Sequence, residues 1–248
     1  MSEERENICF EKREFRGSRF RCLLATQQPK PSVVAFLNSL VRPLAKVSEE
    51  DRYMPEGFGK PEEARLGEIS GFLTEEQRNV VTDWWLPVRQ NANTPNWDIV
   101  STCKIDGSKG LVLVEAKAHA GELNPNDCCG AGNEQNRQRI AAAIGDANKG
   151  LGEGWGLSID SHYQLSNRFA WAWKVASVGV PVVLVYLGFL NAHEMVQPFL
   201  GHGAWERCLL TYADGFVPRR VWISDPINVN GTPLIPLIRS ADVNVTIA

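Results

Sequence analysis

The chain has few of the features that would place it in a simple class. Its longest apolar run, Val178 to Leu190, falls short of the roughly 20 residues that a membrane helix needs. The opening stretch, Met1 to Phe10, is charged and lacks the apolar segment of a secretion signal, so the expectation is a soluble, cytoplasmic protein without a membrane partner. The six cysteines include the neighbours Cys128 and Cys129 but no C-x-x-C, a spacing that suits neither a zinc knuckle nor a disulfide framework. A formal net charge of -3 excludes a strong overall positive field for gripping nucleic acid, so any phosphate contact must be local. Gly150, Gly152, Gly154 and Gly156 follow no strand and precede no Gly-Lys-Ser/Thr, which excludes a phosphate loop. There is no internal repeat and no low-complexity tract.

What is present is a hydrophobic content of 44% in 248 residues, enough to bury a core in one domain spanning 1–248. The expected fold class is α/β, a central mixed β-sheet flanked by α-helices on both faces, with added N- and C-terminal segments. Residues 1–30 read as a partly ordered arm or an edge strand, because Phe15 to Leu23 alternates. Helices are expected over Ser32–Val41, Glu62–Ser70, from the Thr74 cap toward Trp84, over Glu134–Asn148, Tyr163–Val178 and Ala204–Tyr212. Pro181–Leu187 reads as a strand covered on both faces, and Val221–Ser224 as a further strand.

The most informative stretch runs from Asn96 to His119. Two β-rich runs flank an Asp106-Gly107 turn signal, the pattern of a β-hairpin. In the second arm Leu111, Leu113, Glu115, Lys117 and His119 share one face, which changes from apolar to ionisable toward the end. An apolar strand seldom carries a Glu and a Lys unless they have partners or a task. Parity adds to this: a two-residue turn at Asp106-Gly107 places Asp98 opposite Glu115, and a shift to Gly107-Ser108 places it opposite Lys117. Two facing carboxylates repel unless a cation lies between them or one is protonated. Mg²⁺ or Mn²⁺ held by Asp98, Glu115 and the backbone carbonyl of Ala116 would resolve the conflict, with Lys117 placed to orient a water or stabilise developing charge.

In these residues the chain resembles the P-D-(D/E)-x-K, or restriction-endonuclease-like, nuclease superfamily. Asp98 matches the first acid and Glu115-Ala116-Lys117 the E-x-K element, while Pro95 is separated from the acid by Asn96 and Trp97. The resemblance covers about Pro95 to His119. It implies a mixed sheet flanked by helices and metal-dependent phosphodiester hydrolysis in nucleic acid, with DNA expected over RNA. The alternative is a member of that fold that binds nucleic acid or protein without catalysis. A monomer and a homodimer both fit the sequence.

Four accessory residues follow. His119 continues the Glu115 and Lys117 face and could touch phosphate, although a strand-end histidine commonly serves as a cap. Glu68 could add an acid from an upstream helix, against the ordinary reading of an exposed helical Glu. Gln164 and Arg168 share a polar face with Asn167 and Trp171 and could line a cleft, against a solvated helix face.

Overall fold

The computed structural model describes residues 16–90, 92–223 and 225–243; the expectation for 1–15 lies outside these. Its centre is a six-stranded mixed sheet in the order β1-β4-β5-β6-β8-β7, made of β1 (Tyr53–Met54), β4 (Ile99–Ile105), β5 (Ser108–Lys117), β6 (Val182–Leu190), β7 (Ile227–Val229) and β8 (Thr232–Asp242). β2 (Ala64–Arg65) and β3 (Asn96–Trp97) form a small separate ladder. β5 pairs antiparallel with β4 and parallel with β6, so it lies in the middle of the sheet, and every residue from Gly110 to Lys117 is buried.

Helices cover both faces, as the sequence leads one to expect. On one side α3 (Glu75–Trp85), α4 (Glu134–Leu151), α5 (Tyr163–Ser177) and α6 (His202–Tyr212) pack over Leu111, Leu113, Leu184 and Tyr186. On the other, α1 (Gly17–Thr26) and α2 (Lys30–Val41) pack over Val112, Val114, Val183 and Val185. The strict alternation of β5 between these two clusters shows how a period of two feeds two cores from one strand. The α3 start is the capping box that Thr74 and Gln77 announce, each side chain accepting from the other's backbone N–H. Asp106 and Gly107 have φ of 47° and 80°, the positive pair that a two-residue hairpin turn requires. The resulting register runs from Ile105↔Ser108 to Ile99↔Val114 and stops one residue short of Asp98 and Glu115.

Three expected elements differ. The alternating stretch ending at Leu23 is not a strand in its described part; Gly17–Thr26 is a helix whose N-terminal N–H groups are met by distant acids, Gly17 by Glu194 and Ser18 by Glu122. The 62–70 segment is not a helix: Ala64 pairs with Trp97 in β2, and Gly67 lies so close to Thr94 and Thr82 that a Cβ would meet their side chains at 2.5 and 2.6 Å. Around Val221 the chain forms a 3₁₀ turn, Arg219–Trp222, in place of a strand. The C-terminal hairpin β7–β8 turns at Asn230-Gly231, both with positive φ. It tolerates Pro236 because β7 pairs only with Thr232 to Leu234.

Candidate active site

β4 begins one residue after Asp98, and the chain bends at Asp98. Leu111 donates its N–H to Pro181 at the head of β6, so the odd-numbered backbone groups of β5 face β6 and the even-numbered ones face β4. Ala116 therefore turns its N–H and C=O toward the β4 side, past the last β4 pair. The Asp98 carboxylate fills that gap, with Oδ2 accepting the Ala116 N–H at 2.7 Å. Asp98 thus sits at the edge of the strand, where a backbone carbonyl would otherwise have accepted that N–H.

Glu115 and Lys117 project from β5 into the layer of α5. Glu115 is 1% exposed and Lys117 6%. Glu115 Oε1 accepts from Lys117 Nζ at 2.6 Å, and Oε2 from Arg168 Nε at 2.5 Å. Lys117 Nζ also donates to Gln164 Oε1 at 2.7 Å, and Arg168 lies 4.9 Å over the Trp97 ring. Gln164 and Arg168, one turn apart on α5, therefore close over the E-x-K strand. The α5 face expected to be solvated or to line a cleft is a buried lid on the acid and the ammonium, with Asn167 bonded to Arg168 at 2.7 Å.

The charges divide unequally. Burial alone would raise the Glu115 carboxyl, but Arg168 and Lys117 hold it below its ordinary value. Burial alone would lower the Lys117 ammonium, yet Glu115 and Asp98 keep it raised. For Asp98 burial first and then the Glu115 charge outweigh the nearby Lys117 ammonium and the Ala116 N–H, and push it up to about 8. Glu63, whose Oε2 accepts from Asn96 at 3.0 Å, raises Asp98 further.

Glu63, rather than Glu68, is therefore the upstream acid that Asp98 senses. Glu68 lies in a turn and holds the Thr94 N–H at 3.1 Å and Arg65 at 3.2 Å, tying the segment before β3 in place. His119 accepts the Gly121 N–H on Nδ1 at 3.2 Å, so it caps the short turn Ala120–Glu122. Glu63 escapes a reading of local pattern because its neighbourhood is set by the β2–β3 ladder, which pairs residues 31 and 33 positions apart.

Among the described residues no group of three or more His, Cys, Asp or Glu side chains is placed to hold a metal ion. Two carboxylates and a backbone carbonyl near the strand end are oxygen donors of the kind Mg²⁺ takes, but both Glu115 oxygens already accept from Lys117 and Arg168. A soft metal finds no support at Cys128 and Cys129, one exposed and the other buried. Against protein-family models, curated proteins and solved structures nothing matches the chain significantly, so the site is read from its geometry alone.

Proposed function

We propose that the chain is a divalent-metal-dependent nuclease that hydrolyses phosphodiester bonds in nucleic acid, with DNA the substrate expected. The observation that carries the reading is Asp98, a carboxylate at the strand end beside a second acid that pairs with both Lys117 and Arg168, and pushed up to about 8 by burial and by that acid despite Lys117. Asp98, Glu115 and the Ala116 carbonyl would hold Mg²⁺ or Mn²⁺, which when bound supplies charge neutralisation and a more acidic water. Lys117 keeps a fixed positive charge one pleat from Glu115, where it can orient a nucleophilic water and offset charge developing on phosphorus-bound oxygen. Arg168 and Gln164 hold Glu115 and Lys117 in position, so the two groups need no rearrangement at the moment of reaction.

A second reading has one observation in its favour. Lys117 is already engaged by Glu115 and Gln164 and is almost fully buried, as a purely structural ion network in a nucleic-acid- or protein-binding member of the fold would be. Metal titration with thermal melting separates the two: the nuclease gains stability with Mg²⁺ or Mn²⁺, and Asp98→Asn removes that gain. Incubation of plasmid and single-stranded DNA with each ion completes the test. Cleavage by the native protein and none by Lys117→Ala supports the nuclease; equal cleavage by both, or none by either, overturns it.

A further inference from the structure

Next to the ion network, but outside it, lies a cavity of about 600 Å³ between α3, the segment 92–95, the loop 130–133 and the start of α5. Trp85, Asn93, Ala131, Asn133, Tyr163 and Asn167 are among the residues that line it, and no described lining side chain is charged. The volume lies in the range of small-ligand pockets. The polar content is almost wholly amide, the group that offers a donor and an acceptor side by side and pairs with base edges.

Asn167 gives the cavity its most defined contact. It is 6% exposed, and its Oδ1 is taken by Arg168 at 2.7 Å. That bond fixes which way the amide faces, because a guanidinium can only donate. The Nδ2 donor is then left without a partner among the described residues, on a side chain that lines the cavity. Asn133 repeats the pattern: its Oδ1 caps α4 by accepting the Asn136 N–H at 3.1 Å, which leaves its amide NH₂ unused. Tyr163, half-buried, adds an aromatic wall against which a flat ring can pack, and Trp85, 1% exposed, backs the cavity.

Two hydrogen bonds, Asn167 to Arg168 and Arg168 to Glu115, link this cavity to the strand end. We infer that it receives a nucleobase, unstacked from the strand whose phosphate lies at Asp98 and Glu115. The inference rests on the nuclease reading for its position on the substrate, but the cavity's own preference for an uncharged polar ring stands apart from it. A phosphate is disfavoured there, because no Lys or Arg lines the walls, and the nearby first turn of α4 carries Glu134 while its cap is already filled by Asn133. The protein should then act on single strands, or on duplexes from which it extrudes a base.

The test is calorimetric titration of the metal-free protein with adenosine, guanosine, cytidine and thymidine, with ribose 5-phosphate and inorganic phosphate as charged controls. At least one nucleoside should bind one-to-one in the millimolar range or tighter, and more tightly than either control. Asn167→Asp keeps the acceptor for Arg168 but removes the donor, and should weaken that nucleoside at least tenfold. Ala131→Trp fills the cavity and should abolish binding, while Val196→Ala, exposed and outside the cavity, should leave it unchanged. Asn93→Ala, in an exposed loop, serves as a second probe if either variant fails to fold, with a severalfold loss expected. No nucleoside binding by the native protein, phosphate binding as tight, or binding indifferent to the cavity variants overturns the inference. Nucleoside binding by a protein that cleaves nothing would sink the nuclease reading and leave the cavity assignment standing.

Discussion

Two half-buried acids in this molecule, Glu194 and Asp98, are shifted in opposite directions. Glu194 faces Arg21 of α1, a guanidinium 1% exposed, which donates to both carboxylate oxygens, Nη2 to Oε2 at 2.9 Å. The Gly17 N–H adds a further bond at 3.3 Å. Chiefly through the Arg21 hydrogen bonds, Glu194 is held down at about 2. Asp98 receives one backbone N–H and has Glu115 for a neighbour, and stands at about 8. The first arrangement is closed, each charge answered in a bidentate pair. The second leaves a carboxylate waiting for positive charge, which is the condition under which buried acids bind ions or protons. Burial is the first cause of the Asp98 shift and the Arg21 hydrogen bonds the first cause of the Glu194 shift, so the two acids differ in desolvation as well as in the charge that answers them.

The largest effect that would break this contrast is catalytic. Lys117→Ala should lower metal-dependent DNA cleavage by at least about 100-fold, in keeping with the loss of one charge-stabilising group. Arg21→Met, assayed below its melting temperature, should leave the rate within about twofold; a comparable loss in both would mean that the two regions do not differ in kind.

Next comes stability. Glu115→Gln strands Lys117 and Arg168 in the core and should cost about 3–5 kcal/mol in urea unfolding. Glu194→Gln should cost about 1–2 kcal/mol, since an amide oxygen still accepts from Arg21. Equal losses would contradict the greater burial of the first network.

The two acids should also tilt the pH profile in opposite directions. Glu194, lowered on folding, contributes stability that is present above its unfolded value and lost as pH falls through about 4 toward 2. Asp98 is raised on folding, so its contribution is full below about 4 and disappears as pH rises toward 8. Metal-free Asp98→Asn should therefore be more stable than the native protein at pH 8, by about 1–2 kcal/mol after allowance for solvent. The same variant should lose its response to Mg²⁺. Unfolding curves at pH 4, 6 and 8 with and without metal would show both, and a destabilised metal-free variant at pH 8 would refute the account of Asp98.

The smallest effect is expected at His119. His119→Ala should change cleavage by less than about twofold, because the ring caps a turn and touches neither Asp98 nor Glu115. A loss like that of Lys117→Ala would restore the role that its place on the strand face suggests.

Much of the site can be read locally. The alternation of β5 carries Glu115 and Lys117 to one face whether the turn falls at Asp106-Gly107 or Gly107-Ser108, and the structure adopts the first. What local pattern does not supply is the direction of Asp98, which the bend before β4 turns into the strand edge, or the closure of Gln164 and Arg168 over the acid. Nor does it reveal Glu63, which is brought near by a ladder with a distant segment.

The sequence by itself determined the elements whose causes lie within a few residues: the capping box of α3, the two-residue turn between β4 and β5, and the doubly buried strands β5 and β6. Only the tertiary structure decided α1, whose first N–H groups are met by Glu122 and Glu194 from 104 and 177 positions away, and the non-helical 62–70 segment, fixed by its pairing with β3. The physical reason is the same in both cases. A weak local preference yields to hydrogen bonds and charges that exist only once remote parts of the chain are packed together.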